Sequence, residues 1–451
     1  MHLTAKQHKT PPGFREITGA RRTPLTSVAI VLSKALRLVL NTLSHLWCDQ
    51  FLIHTGRLAC RSWVLEGVHL FPGHLRRLRA VLVQARSPLA EVLGFCSLDF
   101  SALYPSIPHD ALLERLPQVI RVAFKYEAVR CRSGARPTRP FDAIFVPSAK
   151  GENARWAYLD DDIDGGLLFD ADTLVELLTY VLVNVFVRFG ELVFRQTLGI
   201  PMGCNCCVEV ANAFLASYEL PFAMRQLQAF VRRCQVRPTR VPSFAPHMML
   251  EPLPRVLIWL LFTVRYIDDL FLPVFGDAAQ VVGQSWFYDR REDGGDDGIY
   301  PTVLNGPRGE IDMPLALNLA SSGDEVHFLD VTVMFDPASR ALSFKLYDKR
   351  RGNPLFAGVM NFPNMDSALS DRAKYSVLRS QMFRYDRNCS FAADFISNTA
   401  TLAVQMIRQH YNKRRVLHEI EKYDNWDQSK GRWRFVKWRT IRRIQQCTPH
   451  T

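Results

Sequence analysis

The stretch Arg265-Tyr-Ile-Asp-Asp269 decides how this chain is interpreted. Its two aspartates stand side by side between the apolar runs 256–264 and 270–274, which predicts two strands joined at the aspartate pair. Adjacent carboxylates repel each other and lose hydration between buried strands, and a divalent cation is the usual compensation. An ordinary aspartate-containing turn explains the same residues, so the motif alone leaves both a metal site and a plain turn open.

A third carboxylate lies far upstream of this pair. The run 95–100 predicts a short strand, and Asp99 lies near its end, ahead of a turn marked by prolines. A neighbouring strand would place Asp99 beside Asp268 and Asp269. Hard oxygen ligands suit Mg²⁺, which keeps waters and substrate phosphates in its shell. The three carboxylates therefore predict a site for two ions that activate an attacking hydroxyl and stabilise a leaving pyrophosphate.

Composition and charge narrow the class of protein. The 451 residues allow two or three lobes, and 48% hydrophobic against 22% charged residues is the balance of a globular chain. The formal net charge of +12 favours a polyanionic partner, although a basic protein without one is the alternative. Ten irregularly spaced cysteines form no zinc pattern. With a short polar start and apolar runs below the ~20 residues of a membrane span, we expect a nuclear or cytoplasmic protein that is not secreted and has no membrane partner.

Periodicity predicts a mixed α+β chain around these motifs. Helices are expected at 26–43, 110–116, 171–189 (closed by Gly190) and 207–220. Strands are expected at 192–194 and in a hairpin formed by 328–335 and 341–347. Irregular loops are expected at 133–166 and 290–298, because Gly, Pro and charged residues dominate there. Beyond 349 the chain is expected to be mostly helical and basic.

The order of the motifs resembles that of reverse transcriptases. Three motifs match the family's motifs A, B and C: Asp99-Phe-Ser-Ala-Leu-Tyr104, Gln196–Gly203 with Ala211-Asn212 and Glu219, and Arg265–Asp269. Two more resemble its primer grip and finger motifs: Phe328-Leu329-Asp330, and Lys6–Lys9 with Gly13–Ile17. The agreement extends over about 5–350 and is most similar to the Penelope-like, telomerase-related branch.

This resemblance implies an α+β right-hand polymerase with fingers, a palm built on an antiparallel sheet, and a helical thumb. The expected domains are fingers at 1–95, shortened at the N-terminus, a palm at 96–350 with a fingers-like insertion at about 130–190, and a helical basic thumb at 351–451. The implied activity is that of an RNA-directed DNA polymerase, a retroelement-derived nucleotidyltransferase. It would add deoxynucleotides to a DNA primer on an RNA template with two Mg²⁺ ions, for which Mn²⁺ can substitute.

The resemblance also implies roles for individual residues. The catalytic, metal-binding residues would be Asp99, Asp268 and Asp269. The incoming nucleotide would contact Lys9, Arg15, Tyr104, Gln196, Pro201, Met202 and Gly203, and the primer would contact Phe328, Leu329 and Asp330. Basic residues interleaved with aromatic ones are expected to bind nucleic acid: Arg414, Arg415, Arg432, Arg434, Lys437 and Arg439.

Tyr104 separates polymerase classes, because in the family this aromatic packs under the sugar and would clash with a 2′-hydroxyl. RNA-dependent RNA polymerases place an aspartate there, so that alternative is disfavoured. The chain departs from the family after Gly203, where Cys204-Asn-Cys206-Cys207 replaces the usual Ser or Thr, and at Thr10, which interrupts a His-Lys-Pro pattern. A catalytically inactive, nucleic-acid-binding relic of a reverse transcriptase therefore stays open as the main alternative.

Overall fold

The structure is a computed structural model that describes residues 2–6, 13–17, 23–55, 63–83, 92–133, 139–189, 191–200, 203–234, 254–275, 285–288, 298–307, 309–348, 362–423 and 433–448. Its helices are α1 (Leu25–Thr55), α2 (Phe71–Leu82), α3 (Leu103–Ser106), α4 (His109–Ser133), α5 (Ala171–Val183), α6 (Cys207–Cys234), α7 (Arg255–Phe262), α8 (Ser285–Tyr288), α9 (Asp371–Asn388), α10 (Ala392–Arg408), α11 (Lys413–Glu421) and α12 (Trp433–Cys447).

The strands are β1 (His2–Lys6), β2 (Gly13–Ile17), β3 (Gly94–Phe100), β4 (Ala143–Pro147), β5 (Arg155–Ala157), β6 (Gly166–Phe169), β7 (Phe186–Phe189), β8 (Leu192–Arg195), β9 (Val264–Tyr266), β10 (Asp269–Val274), β11 (Val303–Gly306), β12 (Gly309–Asp312), β13 (Leu317–Gly323), β14 (Glu325–Phe328), β15 (Val331–Asp336) and β16 (Ala341–Leu346). This mixed content of helix and strand confirms the predicted α+β class.

The chain folds into two compact units, each built from two stretches of sequence. The first unit comprises Met1–Leu65 and Glu91–Ala320, and the second comprises Glu66–Ala90 and Ser321–Thr451. The correspondence between these units and the fingers, palm and thumb stays a prediction.

Strands β3, β10 and β9 of a four-stranded sheet, whose order is β13-β3-β10-β9, lie in the first unit. Strand β10 pairs antiparallel with both β3 and β9. The apolar residues of β3 and β10 are buried on both faces of the sheet, and Phe95 stacks on Phe271 with ring centroids 5.1 Å apart. A slip by one residue would move every side chain to the opposite face and would separate this stacked pair.

Long helices of the first unit pack on one another. Helix α1 contacts α4, α5 and α6, and its buried residues recur at helical spacing: Ala29, Leu32, Ala35, Leu36, Val39, Leu43, Trp47 and Phe51. The predicted helix at 26–43 is thus confirmed and extended. The segment Leu25–His54 is long and apolar enough to span a membrane by length and composition, a test that the core helices of soluble proteins also pass.

The apolar run 256–264, which was expected to be a strand, forms helix α7 over Arg255–Phe262 and only then enters β9. Pro254 precedes the helix, and Leu257, Ile258, Trp259 and Leu260 are all buried. A short apolar run has no polar residues to mark its period, so the pattern fits a buried strand and a buried helix equally well. The prediction of two strands meeting at the aspartates was therefore correct only for 264–274.

Two other predictions were wrong in type. The helix expected over 171–189 ends at Val183, where Asn184 caps it, and Phe186–Phe189 forms a hairpin with β8. The loop expected over 133–166 contains a three-stranded antiparallel sheet in the order β5-β4-β6. Strand β4 is buried along its whole length, and this packing outweighs the Gly, Pro and Asp residues around it.

The second unit combines a small sheet with a helical cluster. Strands β14, β15 and β16 form an antiparallel sheet, so the run 328–335 is broken by a turn at Leu329-Asp330 instead of forming one strand. Phe71 of α2 packs edge-on against Phe328, with ring centroids 4.7 Å apart. Helices α9 to α12 share a core whose most deeply buried members are Leu378, Met382, Phe395, Ala403, Met406, Val416 and Ile444. The helical C-terminal region is confirmed.

Candidate active site

Asp99 and Asp269 face each other across neighbouring strands. They are direct Cα partners in the antiparallel register of β3 and β10, so their side chains project from the same face of the sheet. Both residues are half-buried. Like charges at directly opposed positions destabilise a sheet. The pairing therefore places a pair of carboxylates where a bound cation would relieve their repulsion.

Asp268 lies in the tight turn that joins β9 to β10. Tyr266 pairs with Asp269, which leaves only Ile267 and Asp268 in the loop. Ile267 has a φ of 57°, a left-handed conformation that is costly for a β-branched residue. The carbonyl of Asp268 accepts a hydrogen bond from the Phe100 amide at 3.1 Å. The turn is thus fastened to the strand that carries Asp99.

The three aspartates come close together but do not form a complete set of metal ligands. Within the part of the chain that the structure describes, no three His, Cys, Asp or Glu side chains converge closely enough to hold a metal ion. Two carboxylates on one face with a third in the adjoining turn are nevertheless the oxygen donors that Mg²⁺ prefers. The donor chemistry fits a hard divalent cation, and a change of side-chain conformation would be needed to complete its shell.

A fully buried arginine supports the strained turn. Arg265 is 0% exposed, and its Nη1 donates to the carbonyl of Ile267 at 3.0 Å and to Oδ1 of Asn212 at 2.7 Å. Its Nε and Nη2 donate to the two carboxylate oxygens of Glu219 at 2.7 and 2.9 Å. The same guanidinium thus binds the turn residue with the unfavourable φ and two residues of α6.

Glu219 is held by two more donors. Trp63 donates from Nε1 to its Oε2 at 2.7 Å, and the hydroxyl of Tyr300 donates to its Oε1 at 2.9 Å. The main chain closes the network, because the Arg265 amide donates to the Trp63 carbonyl at 2.5 Å. Burial is the main cause that raises the pKa of Tyr300 well above its usual value, with the charge of Glu219 adding to it. Tyr300 therefore stays a neutral donor to a charged pair.

The segments that resemble motifs A and B are joined at Gly199. Its amide donates to the carbonyl of Ile107 at 2.7 Å, and the Ile200 amide donates to the carbonyl of Tyr104 at 2.6 Å. Gly199 has a φ of 84°, and a Cβ there would lie 2.7 Å from the Tyr104 oxygen and 2.9 Å from Pro105 Cα. Only glycine fits this position, since both the φ and the close approach exclude a side chain.

Side chains around this junction close the turn. Gln196 donates from Nε2 to the carbonyls of Leu198 and Gly199 at 2.9 and 3.0 Å, so its amide is engaged within the turn. Buried His109 also bonds the Gly199 carbonyl, through Nε2 at 2.9 Å, and burial lowers its pKa. The Gly199 carbonyl thus accepts from two side chains. Gly203 has a φ of 115°.

Tyr104 lies within electrostatic reach of the aspartate turn. Burial is the main cause that raises the pKa of its phenol, and the charges of Cys207, Asp268 and Glu209 raise it further. Tyr104 is half-buried in α3, directly after the strand that carries Asp99. Its phenol is therefore neutral near physiological pH and stands close to the predicted metal-binding residues.

Several predicted nucleotide and nucleic-acid contacts lie outside the described residues: Lys9, Pro201, Met202 and Arg432. Arg15 is placed by its backbone alone, in β2 opposite Thr4, and Arg434 likewise lies in α12. The structure does not test these predictions.

The predicted primer-grip turn lies in the second unit. Leu329 has a φ of 55°, and Asp330 Oδ2 accepts hydrogen bonds from Arg384 Nε at 2.9 Å and Asn388 Nδ2 at 2.8 Å. The Asp330 carbonyl accepts from the Tyr347 amide at 2.9 Å. Asp330 thus fixes a turn against α9.

The predicted basic residues of the C-terminal helices differ in exposure and in the contacts they make. Arg415 is engaged within the unit, because it pairs with Asp371 at 2.7 Å and lies over the Tyr375 ring at 4.1 Å. The Lys437 ammonium donates to the Glu421 carbonyl. Arg414 and Arg439 are exposed. The exposed pair is the better candidate for contact with a phosphate backbone.

Comparison with known proteins yields only distant structural similarity. No protein-family model and no curated protein matches the chain. Similar solved structures are telomerases. One, from Candida albicans in complex with a TWJ fragment of telomeric RNA, is 11% identical with a TM-score of 0.47, over 95% of this chain and 52% of that one. Another, apo telomerase from Candida tropicalis, is 12% identical with a TM-score of 0.39, over 92% and 54%.

The chain spans about half the length of these telomerase chains. Identities this low can indicate a shared fold at most, and TM-scores below 0.5 add no weight to it. The Penelope-like and retroelement assignments gain no support from these comparisons. Support for a function therefore comes from the residues of the chain itself.

Trp63, Tyr300 and His109 have structural roles at the site that no sequence pattern indicated. Trp63 and Tyr300 are 156 and 81 residues from Glu219, the carboxylate that both of them bind. Arg265 could have been found, because a charged residue beside a buried strand needs a partner. The sequence did not indicate which acidic residue would be that partner.

Proposed function

We propose that this chain is an RNA-directed DNA polymerase that adds deoxynucleotides to the 3′ end of a primer. The pairing of Asp99 with Asp269, next to the Asp268 turn, carries the proposal. Asp99 lies 169 positions before Asp268 in the sequence, and Asp268 and Asp269 are neighbours at the β9–β10 turn. Strand pairing brings these residues to the same end of an antiparallel sheet. This is where a palm-type polymerase needs its carboxylates, by the resemblance of the motifs.

Asp99, Asp268 and Asp269 would hold Mg²⁺, for which Mn²⁺ can substitute. When bound, the ions would lower the pKa of the primer hydroxyl and neutralise charge on the leaving pyrophosphate. The chain's own residues would then orient the reactants. The β9–β10 turn, held by Arg265, fixes where Asp268 stands relative to Asp99.

Tyr104 would select the sugar of the incoming nucleotide. It stands in the half-buried α3 beside Asp268, and hydrogen bonds to Gly199 and Ile200 fasten this helix and the residue that follows it. A ring carried by a backbone that is held in this way would exclude a 2′-hydroxyl by contact. This supports deoxynucleotides as substrates and disfavours an RNA-dependent RNA polymerase.

The net charge of +12 supports a nucleic-acid partner, with an RNA template and DNA primer as the proposed pair. Exposed Arg414 and Arg439 are proposed to contact phosphates. The origin from a retroelement and the Penelope-like branch rest on the motif residues alone.

Primer extension tests the proposal. Purified protein with Mg²⁺ or Mn²⁺ is expected to extend a DNA primer on an RNA template with dNTPs, and Asp268→Ala is expected to abolish extension. Asp110→Asn serves as the matched control, because Asp110 is an exposed aspartate in the first turn of α4. Extension that survives Asp268→Ala would refute the assignment.

A nucleic-acid-binding protein without catalysis is the second candidate. It is favoured by the incomplete convergence of acidic ligands among the described residues and by the cysteines that follow Gly203. This candidate predicts RNA or DNA binding that weakens steeply with salt, with no incorporation under either metal. A filter-binding series over salt, run beside the extension assay, separates the two.

A further inference from the structure

Three cysteines follow Gly203, at the entry to helix α6. Cys206 is buried and Cys204 is half-buried, and their Sγ atoms lie 3.6 Å apart. Neither forms a disulfide. A separation of 3.6 Å is sulfur–sulfur contact, and a small adjustment of side-chain torsions would bring the two atoms to bonding distance.

The two thiols differ in the way that an attacking and a resolving thiol must differ. A hydrogen bond from Cys206 is the main cause that lowers the pKa of Cys204 to about 7, and the amides of Asn205 and Cys206 contribute as well. The thiolate is the nucleophile in exchange with disulfides. Cys204 is accessible enough to meet a small reagent, whereas Cys206 is shielded from it and already touches the attacking sulfur.

We propose that Cys204 and Cys206 form a redox-active dithiol that a low-molecular-weight disulfide converts into a reversible intramolecular disulfide. The Cys204 thiolate attacks the reagent, forms a mixed disulfide and releases one small thiolate. The Cys206 sulfur, on losing its proton, attacks Cys204 Sγ and releases the second. Two protein thiols are oxidised, one reagent disulfide is reduced, and two small thiols leave, so atoms and electrons balance.

Cys207 is the alternative partner and fits less well. Its thiol belongs to the first residue of α6, and burial raises its pKa. The pKa of Cys206 is raised as well, first by its hydrogen bond to Cys204 and then by burial, so sulfur contact and not acidity separates the two candidates. Its charge acts on the phenol of Tyr104, which places its sulfur on that side of the turn. Among the described cysteines, the contact between two sulfur atoms is that of Cys204 with Cys206.

A ring closed across a single residue is expected to be strained, so the bond should open readily when reducing thiol is added. The modification therefore goes beyond the proposed polymerase activity and does not depend on it. It would mark the segment after Gly203 as a site that responds to the thiol–disulfide balance.

The test uses the full chain and glutathione disulfide as the probe. After incubation, remaining thiols are blocked with an alkylating reagent, the protein is digested with trypsin, and the peptide 196–225 is fragmented in a mass spectrometer. This peptide contains all three cysteines. We expect it to carry one alkyl group, on Cys207, and to lack two hydrogens at 204–206. If the oxidised protein is treated with reduced glutathione before alkylation, the peptide should carry three alkyl groups.

Variants sharpen the test. Cys206→Ser should stop at the mixed disulfide with glutathione on Cys204, whereas Cys207→Ser should still close the 204–206 bond. The wild-type mapping needs no variant, so the proposal stays testable if Cys206→Ser fails to fold. Three alkylated cysteines after treatment, or a bond that includes Cys207, would overturn it. Neither result bears on primer extension, so the two proposals fail independently.

Discussion

Arg265 and Glu219 form a buried two-pronged ion pair, with Nε to Oε1 at 2.7 Å and Nη2 to Oε2 at 2.9 Å. Arg265 is fully buried and Glu219 is 5% exposed. Desolvating two charges is costly, and such a pair persists only when further hydrogen bonds satisfy it. Here Trp63, Tyr300 and Asn212 provide these hydrogen bonds. The buried pair in turn holds the strained turn at Ile267 in place beside the candidate catalytic residues.

Replacing Arg265 by Ala should strongly destabilise the first unit. The change leaves the Glu219 carboxylate buried without its cation, a loss typically of about 3–5 kcal/mol. Arg121→Ala is the matched control, because Arg121 pairs with Asp172 at 3.1 Å while both side chains are exposed, at 57% and 77%, and such pairs contribute at most about 1 kcal/mol. Thermal unfolding followed by circular dichroism compares them. Equal losses would contradict the role assigned to Arg265.

Gly199→Ala should destabilise the chain through both the backbone and the added atom. A left-handed φ costs a non-glycine residue about 1–3 kcal/mol, and the new Cβ would collide with the backbone of Tyr104 and Pro105. Gly73→Ala in α2 is the control, since nothing lies within 4 Å of its Cβ and alanine favours a helix by about 1 kcal/mol. We expect the melting temperature to fall for the first and to hold or rise for the second.

Mn²⁺ or Mg²⁺ should stabilise the protein through Asp99. A ligand that binds only the folded state adds RT ln(1 + [L]/Kd), about 2.7 kcal/mol at a hundredfold excess over Kd. Asp99→Asn removes one of the two opposed carboxylates, so we expect it to abolish most of the rise in melting temperature with metal. Asp110→Asn should leave that rise unchanged. A wild-type melting temperature that does not change with either metal would argue against a metal site.

Alkylation of Cys204 should depend on pH with a midpoint near neutrality. The pKa of this thiol is lowered to about 7, so the reactive thiolate dominates above that pH and falls about tenfold per pH unit below it. Buried Cys96 is the control, because burial raises its pKa to about 12. Rates of iodoacetamide labelling, read by peptide mapping between pH 5 and 9, are expected to rise and level off at Cys204 while Cys96 stays unlabelled. A rate at Cys204 still climbing at pH 9 would be inconsistent with the contact to Cys206.

Tyr104→Ala should weaken discrimination between dNTPs and rNTPs. Removing the ring opens space for a 2′-hydroxyl, and losing a steric contact of this size is worth on the order of tenfold or more in selectivity. Tyr104→Phe keeps the ring and should keep the selectivity. The ratio of dNTP to rNTP incorporation on one template measures both. An unchanged ratio of dNTP to rNTP incorporation in the alanine variant would show that Tyr104 does not contact the sugar.

The sequence was sufficient to predict the elements whose pattern is local. The strand that carries Asp99 and the amphipathic α1 follow from spacing alone, and a turn next to Asp269 follows from two polar residues between apolar runs. The type of the run 256–264 could not be predicted, because eight apolar residues show no period. The sheet formed by β4, β5 and β6 was missed, because burial decides such short strands more than propensity does.

The candidate site was predicted only as a set of residue types. Motif order led to Asp99 and Asp268, but the opposed register of Asp99 and Asp269 is a property of pairing between strands 170 positions apart. The ligands of Glu219 were not predictable for the same reason, since Trp63 and Tyr300 belong to no local pattern with it. Long-range contacts of this kind are settled by packing.

Helix α2 belongs to the second unit although the first unit flanks it on both sides in sequence. Its ring partner Phe328 lies about 250 residues downstream of Phe71. At a synthesis rate of roughly 5–20 residues per second, α2 leaves the ribosome about 12–50 s before that partner exists. During that interval the apolar side of the helix, which includes Phe71, lacks its ring partner Phe328.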